Sequence, residues 1–191
     1  MRWKTGRRSS NIEDRRGRRL RGGGVVKGGV GTIVIALALA YFLGIDPQVL
    51  LQMQQNVAPT TQDSHQPSPE EARLADFVAV VLADTEDTWK AIFKNSGRDY
   101  EEPVLVMFSG SVQSACGMAS AAVGPFYCPA DHKVYLDLSF FHDLKQRHGA
   151  PGDFAQAYVI AHEVGHHVQN LLGISDKVRT AQRSLGKAEA N

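Results

Sequence analysis

Cysteine is scarce in this chain, with two in 191 residues, Cys116 and Cys128. Their spacing fits no common cysteine zinc pattern, which makes a thiolate-held metal site the less favoured reading. Net charge is nearly lacking too, at +1. A chain that balanced is not built throughout as a basic nucleic-acid binder. Internal repeats are absent, so the chain is not a solenoid or an array. The glycine-rich stretch RGGGVVKGGVGT does not complete G-x-x-x-x-G-K-[ST], which excludes a phosphate loop.

The small net charge is a cancellation. Residues 1–27 carry ten Lys/Arg and two acids, a balance of +8, while the remainder carries 11 Lys/Arg and 18 acids, a balance of −7. Between the two lies GGVGTIVIALALAYFLGI, residues 28–45, without a charge. An apolar run of that length reads as a membrane-crossing helix with aromatics at one end, and its basic flank reads as cytoplasmic. The expected layout is a basic cytoplasmic segment at 1–27, a single span at 28–45 and a flexible linker at 46–69. A folded domain at 70–191 would then lie in the periplasm or outside the cell. A cleaved signal peptide fits less well, because the basic region is long and no small-x-small site follows. Basic clusters beside a span are topology or lipid signals more often than nucleic-acid arms. Gly24 and Gly28 have small-xxx-small spacing, a weak packing signal. Outside the cytoplasm, Cys116 and Cys128 are expected to form a disulfide.

Ser68-Pro69-Glu70-Glu71 is a helix start with a capping box. Apolar residues then recur at helical spacing from Leu74 to Phe93, predicting a helix over 69–94. PVLVMFSG (103–110) and KVYLDLSFF (133–141) read as strands, the second leading into a short helix or loop. Asp153 is expected to cap a helix that Gly173 ends. A polar helix over 176–189 follows. The fold class is α+β, a folded domain preceded by the membrane helix.

The helix that Gly173 ends carries AYVIAHEVGHHVQNLLG. His162 and His166 are four apart and share one face, so two imidazoles can meet one zinc ion. Glu163, turned aside by one residue, is placed as general base toward the attacking water. Phe154, Tyr158, Ala161, Gly165, Val168 and Leu172 make an apolar stripe expected to face the core. Gly165 costs roughly 1 kcal/mol relative to Ala, a cost that a close approach by another element would explain. His167 points elsewhere and is expected to be exposed. His65, His132, His142 and His148 are read as surface or loop residues, with His132 near a cleft flanked by the strand around Tyr135.

GPFYCPADHKVYLDLSFF followed by AYVIAHEVGHHVQNLLGI resembles the bacterial family of neutral zinc metallopeptidases. The resemblance implies a membrane-anchored, zincin-like zinc peptidase acting on peptides or proteins, with His162 and His166 as metal ligands and Glu163 as catalytic base. A metzincin third ligand would fall at position 172, which is Leu172. The resemblance implies instead an acid on a later helix. After the motif the chain offers Asp176 and Glu189, and it reads as C-terminally incomplete relative to the family. The alternatives are a catalytically inactive, membrane-tethered interaction module of the same fold, or a structural metal site.

Overall fold

The computed structural model describes residues 1–17 and 67–184. Its strands are β1 (Ile12–Asp14), β2 (Val104–Phe108), β3 (Ser111–Ser114), β4 (Gly117–Ser120), β5 (Phe126–Cys128) and β6 (Lys133–Asp137). Its helices are α1 (Pro69–Asn95), α2 (Ser139–Gln146), α3 (Asp153–Leu171) and α4 (Ile174–Ser184). The main sheet has the order β1-β2-β6-β5, parallel from β1 to β6 and antiparallel at β5. A hairpin, β3–β4, forms a second sheet.

Period-two alternation assigns β2 to two cores. Leu105 and Met107 point to one side, with Val134 and Leu136 of β6, and meet Phe77, Val78, Val81 and Leu82 of α1 and Ile160 and Val164 of α3. Val106 and Phe108 point to the other, where Val112, Tyr135 and Cys128 complete a smaller cluster. A strand buried on both faces reads as an unbroken apolar run, as PVLVMF does. The Cys116–Cys128 disulfide closes the loop over this second face.

Helix α1 starts as its sequence dictates. Ser68 accepts from the Glu71 backbone N–H, and the Glu71 side chain accepts from the Ser68 N–H. Its burial is wider than one stripe, since Val80, Ala83 and Glu86 are buried beside Phe77, Val78 and Leu82. Ile92, expected in the core, is exposed. The extra buried face is covered by residues 1–17. Trp3, at 7% exposure, meets the Phe77 ring edge-to-face at 5.3 Å. The Ser9 N–H donates to the Ala79 carbonyl at 2.9 Å. Strand β1 then pairs with β2, Ile12 opposite Leu105.

This arrangement corrects the expected topology and localisation. Among the described residues no helix is long and apolar enough to cross a membrane. Residues 1–17 also belong to the same compact unit as the domain, and a strand cannot pair with a sheet across a bilayer. The single-pass anchor that put residues 1–27 and the domain on opposite sides is therefore overturned. The basic residues read as a topology signal serve in part as docking charges. Arg7 pairs with Glu86 and Asp87, and Arg8 with Asp76. The apolar run at 28–45 and most of the expected linker at 46–69 lie outside the described residues.

Candidate active site

Helix α3 begins after Gly152, which occupies the cap position, so Asp153 is the first helical residue and its side chain makes no cap bond. The expected Asp153 cap is thereby corrected; an acid in the first turn still complements the helix dipole. The helix closes where Gly173 takes φ of 69°, a left-handed conformation that glycine adopts without a Cβ clash.

The core-facing residues of α3 are Ile160, Val164 and Val168, with Ala157 partly buried. Of the expected stripe Val168 is buried as read, while Phe154, Tyr158 and Ala161 are exposed, so the apolar face is displaced around the helix. Phe154 and Tyr158 are 76% and 63% exposed, on the outer side with Ala161. Apolar spacing alone does not choose between two neighbouring faces of one helix. Gly165 is not a contact point either, since a Cβ there would meet no atom within 4 Å.

His162 and His166 are both exposed and stand together, ring centroids 4.7 Å apart at 84°. His166 Nδ1 lies 3.1 Å from Gln169 Oε1. An amide oxygen only accepts, so Nδ1 carries the proton and the lone pair sits on Nε2, the nitrogen able to bind a metal. The Tyr158 ring lies 6.2 Å from that of His162, one turn earlier. Glu163 is 8% exposed. Burial pushes its carboxyl above the usual carboxylate range, opposed by His166 and His162 and by the Tyr127 backbone N–H that donates to it.

The opposite side of α3 holds what sequence reasoning missed. His167, read as exposed, is fully buried. Its Nε2–H donates to the Glu101 carbonyl at 2.7 Å, which leaves Nδ1 to accept from the Tyr127 hydroxyl at 3.0 Å. The Tyr127 oxygen accepts from Asn170 Nδ2 at 3.3 Å. Asn170 also donates to His132 Nε2 at 3.3 Å, and His132 Nδ1–H donates to the Glu101 carboxylate at 3.1 Å. These bonds close a circuit through Glu101, His132, Asn170, Tyr127 and His167, and the two acceptor-only oxygens of Glu101 fix every proton in it. Burial holds the His167 imidazole below its ordinary pKa and so neutral. Tyr127 acts on two residues of that buried face, its backbone N–H lowering the Glu163 pKa and its hydroxyl bonding His167. The histidines were visible in the sequence; a signal for the burial of His167 was not, because its partners are distant along the chain.

Strand β5, not the strand around Tyr135, is the sheet edge, and it packs on α3; Tyr135 in β6 is interior and bound to Asp131. His142 and His148 are exposed, as expected. Asp176 pairs with Arg179, and Glu189 and His65 lie outside the described residues. Among the described residues no three of His, Cys, Asp and Glu are grouped to hold a metal ion. His162 and His166 could offer two imidazoles to a metal, with no third such side chain grouped beside them among the described residues. A cavity of about 750 Å³ opens elsewhere, lined by Arg16, Asp137, His142 and Gln156 among others, and includes none of the motif residues.

Comparison with known proteins agrees with the motif. A family model described as "Putative neutral zinc metallopeptidase" matches residues 1–191. The uncharacterized protein YpfJ of Escherichia coli strain K12 is 46% identical over 202 residues, covering 100% of this chain and 68% of the relative. The uncharacterized protein Rv2575 of Mycobacterium tuberculosis strain H37Rv is 41% identical over 154 residues, covering 77% of this chain and 52% of the relative. No solved structure matches. On a family match that runs through the basic segment as well as the H-E-x-x-H helix, the chain belongs to the putative neutral zinc metallopeptidase family.

Proposed function

We propose that this chain carries the catalytic helix of a zinc-dependent peptidase that hydrolyses peptide bonds, with His162 and His166 as metal ligands and Glu163 as general base. Residues 1–17 join the described part of the expected 70–191 domain in one compact unit. The observation that carries the reading is the division of labour on α3. Two imidazoles stand side by side on its exposed face, and the carboxylate between them in sequence is withdrawn from water. Bound zinc would supply Lewis acidity toward a peptide carbonyl and acidify a water.

The remaining work falls to the chain. The Gln169 side chain holds the His166 tautomer with Nε2 outward. The Tyr127 backbone N–H favours the charged form of the Glu163 carboxyl. A carboxyl whose pKa is raised by burial takes a proton from the attacking water more readily, and can return it to the leaving nitrogen. Substrate would approach from the open side of α3.

Glu163→Gln is expected to abolish peptidase activity while bound zinc is unchanged. His162→Ala is expected to lose the zinc. Peptidase activity surviving Glu163→Gln would overturn the assignment of the base. A second reading, an inactive interaction module of this fold, is favoured by one observation: no third side chain joins the pair among the described residues. Zinc content separates the two. Near one zinc per chain in the parent and none in His162→Ala supports the peptidase; none in either supports the module.

A further inference from the structure

Residues 1–17 behave as a ligand of the fold that carries them. We propose that the groove between α1 and the outer edge of β2 is a peptide-reading site, and that its ligand, residues 1–17, can be delivered by a second copy of this chain as well as by its own.

The contacts are those of specific peptide recognition. Trp3 supplies an aromatic anchor, seated on Phe77. Gly6 presses on the helix so closely that a Cβ would stand 2.6 Å from Val80 Cγ1, and a larger residue does not fit there. Glu86 of α1 is 1% exposed, and three groups of the segment converge on its carboxylate. Arg7 donates at 2.8 Å, Asn11 Nδ2 at 2.9 Å and the Ser9 hydroxyl closely as well. Asn11 also donates to Glu102 at 2.7 Å. Arg8 forks onto both Asp76 oxygens at 2.8 and 2.7 Å. Beyond these side chains the segment adds a strand. The Leu105 N–H donates to the Asn11 carbonyl at 2.8 Å, and the Arg15 N–H donates to the Met107 carbonyl at 2.8 Å. Lys133 and Arg15 both hold Glu13. This is strand addition at a sheet edge, where backbone bonds give affinity and alternate side chains give specificity.

The emptied groove explains why a second copy would serve. Without the segment, Phe77 and Val80 lose apolar cover, the β2 edge is unpaired, and the Glu86 carboxylate loses its cation and hydrogen-bond partners. Any chain presenting the same segment relieves all three. The intrachain connection spans residues 18–66. Exchange of such an element between identical chains is a low-cost route to a dimer once the intrachain contact is weakened.

The test uses the full chain and a fluorescent synthetic peptide of residues 1–17. A Trp3→Ala chain is expected to bind this peptide saturably and to melt higher in its presence. A peptide carrying Trp3→Ala is expected to bind at least about tenfold more weakly. If the Trp3→Ala chain does not fold, an Arg8→Glu chain, which loses the exposed pair with Asp76 and the bonds to the Lys4 and Gly6 carbonyls, serves in its place. No binding by a folded variant, or equal binding of the two peptides, overturns the site. For delivery between copies, a tagged Trp3→Ala chain is mixed with a Glu86→Gln chain, which offers an intact segment but a poor groove. Capture of the Glu86→Gln chain, and no capture of a second Trp3→Ala chain, supports exchange. Peptide binding without capture overturns delivery by a second copy.

Discussion

The outer and inner sides of α3 differ more than their sequences suggest. His166 and His167 are neighbours of one residue type; one is exposed and the other is fully buried. About 100° of helical rotation separates them. On the outer side the polar groups have few protein partners, and aromatic surface faces water. On the inner side the circuit through Glu101, His132, Asn170, Tyr127 and His167 leaves none of its principal donors idle. Under the proposed function, the hydrogen-bonded side would hold the exposed side in place. A helix held by hydrogen bonds to three other segments keeps its roll angle, and the roll angle aims His162, Glu163 and His166.

Substitutions on the two sides should separate activity from stability. The largest effect is expected at Glu163→Gln, where peptide hydrolysis should fall by about 10²–10⁴-fold with the melting temperature little changed. His167→Ala should reverse that pattern. It strands the Glu101 carbonyl and the Tyr127 hydroxyl and leaves a void, so a loss of about 2–4 kcal/mol is expected in urea unfolding. Tyr127→Phe removes only the hydroxyl and should cost about 1 kcal/mol, while its backbone bond to Glu163 persists. Gly165→Ala, which meets no neighbour, should stabilise by up to about 1 kcal/mol, by removing glycine's freedom in the unfolded chain. A stability loss there would reveal an element packed on the outer side.

The smallest effect lies away from the helix, at the docked segment. Hydrogen bonding by Lys133, and secondarily by Arg15, holds the Glu13 carboxyl below the usual carboxylate range. A depressed folded pKa stabilises above the unfolded value of 4.5. That contribution is lost as pH falls through the folded value. Glu13 is partly exposed, so solvent screening limits the effect to about 0.5 kcal/mol. Glu13→Gln should flatten this part of the acid limb in a pH series of melting curves.

Much of the local structure was legible. The capping box predicted the start of α1 at Pro69, and the helix runs to Asn95 against an expected end at Lys94. The apolar run at β2, the breaker before α3 and Gly173 at its end were equally local signals. The disulfide expected between Cys116 and Cys128 is present. The elements that escaped are those held by distant partners. Ile12-Glu13-Asp14 has one apolar residue in three, so β1 carries no strand signature; it exists because β2 offers an edge and α1 offers Glu86. The same blindness misplaced the stripe on α3 and made a docking segment look like a membrane topology signal.

By itself the sequence determined which residues could do the chemistry. Four-residue spacing on a helix brings His162 and His166 to one face whatever surrounds it, because helix geometry is local. Only the tertiary structure decided which face is open, which histidine is a strut, and that residues 1–17 belong to the domain's sheet. Those outcomes depend on burial and on hydrogen bonds between segments far apart in the chain, and no periodicity in a single stretch encodes them.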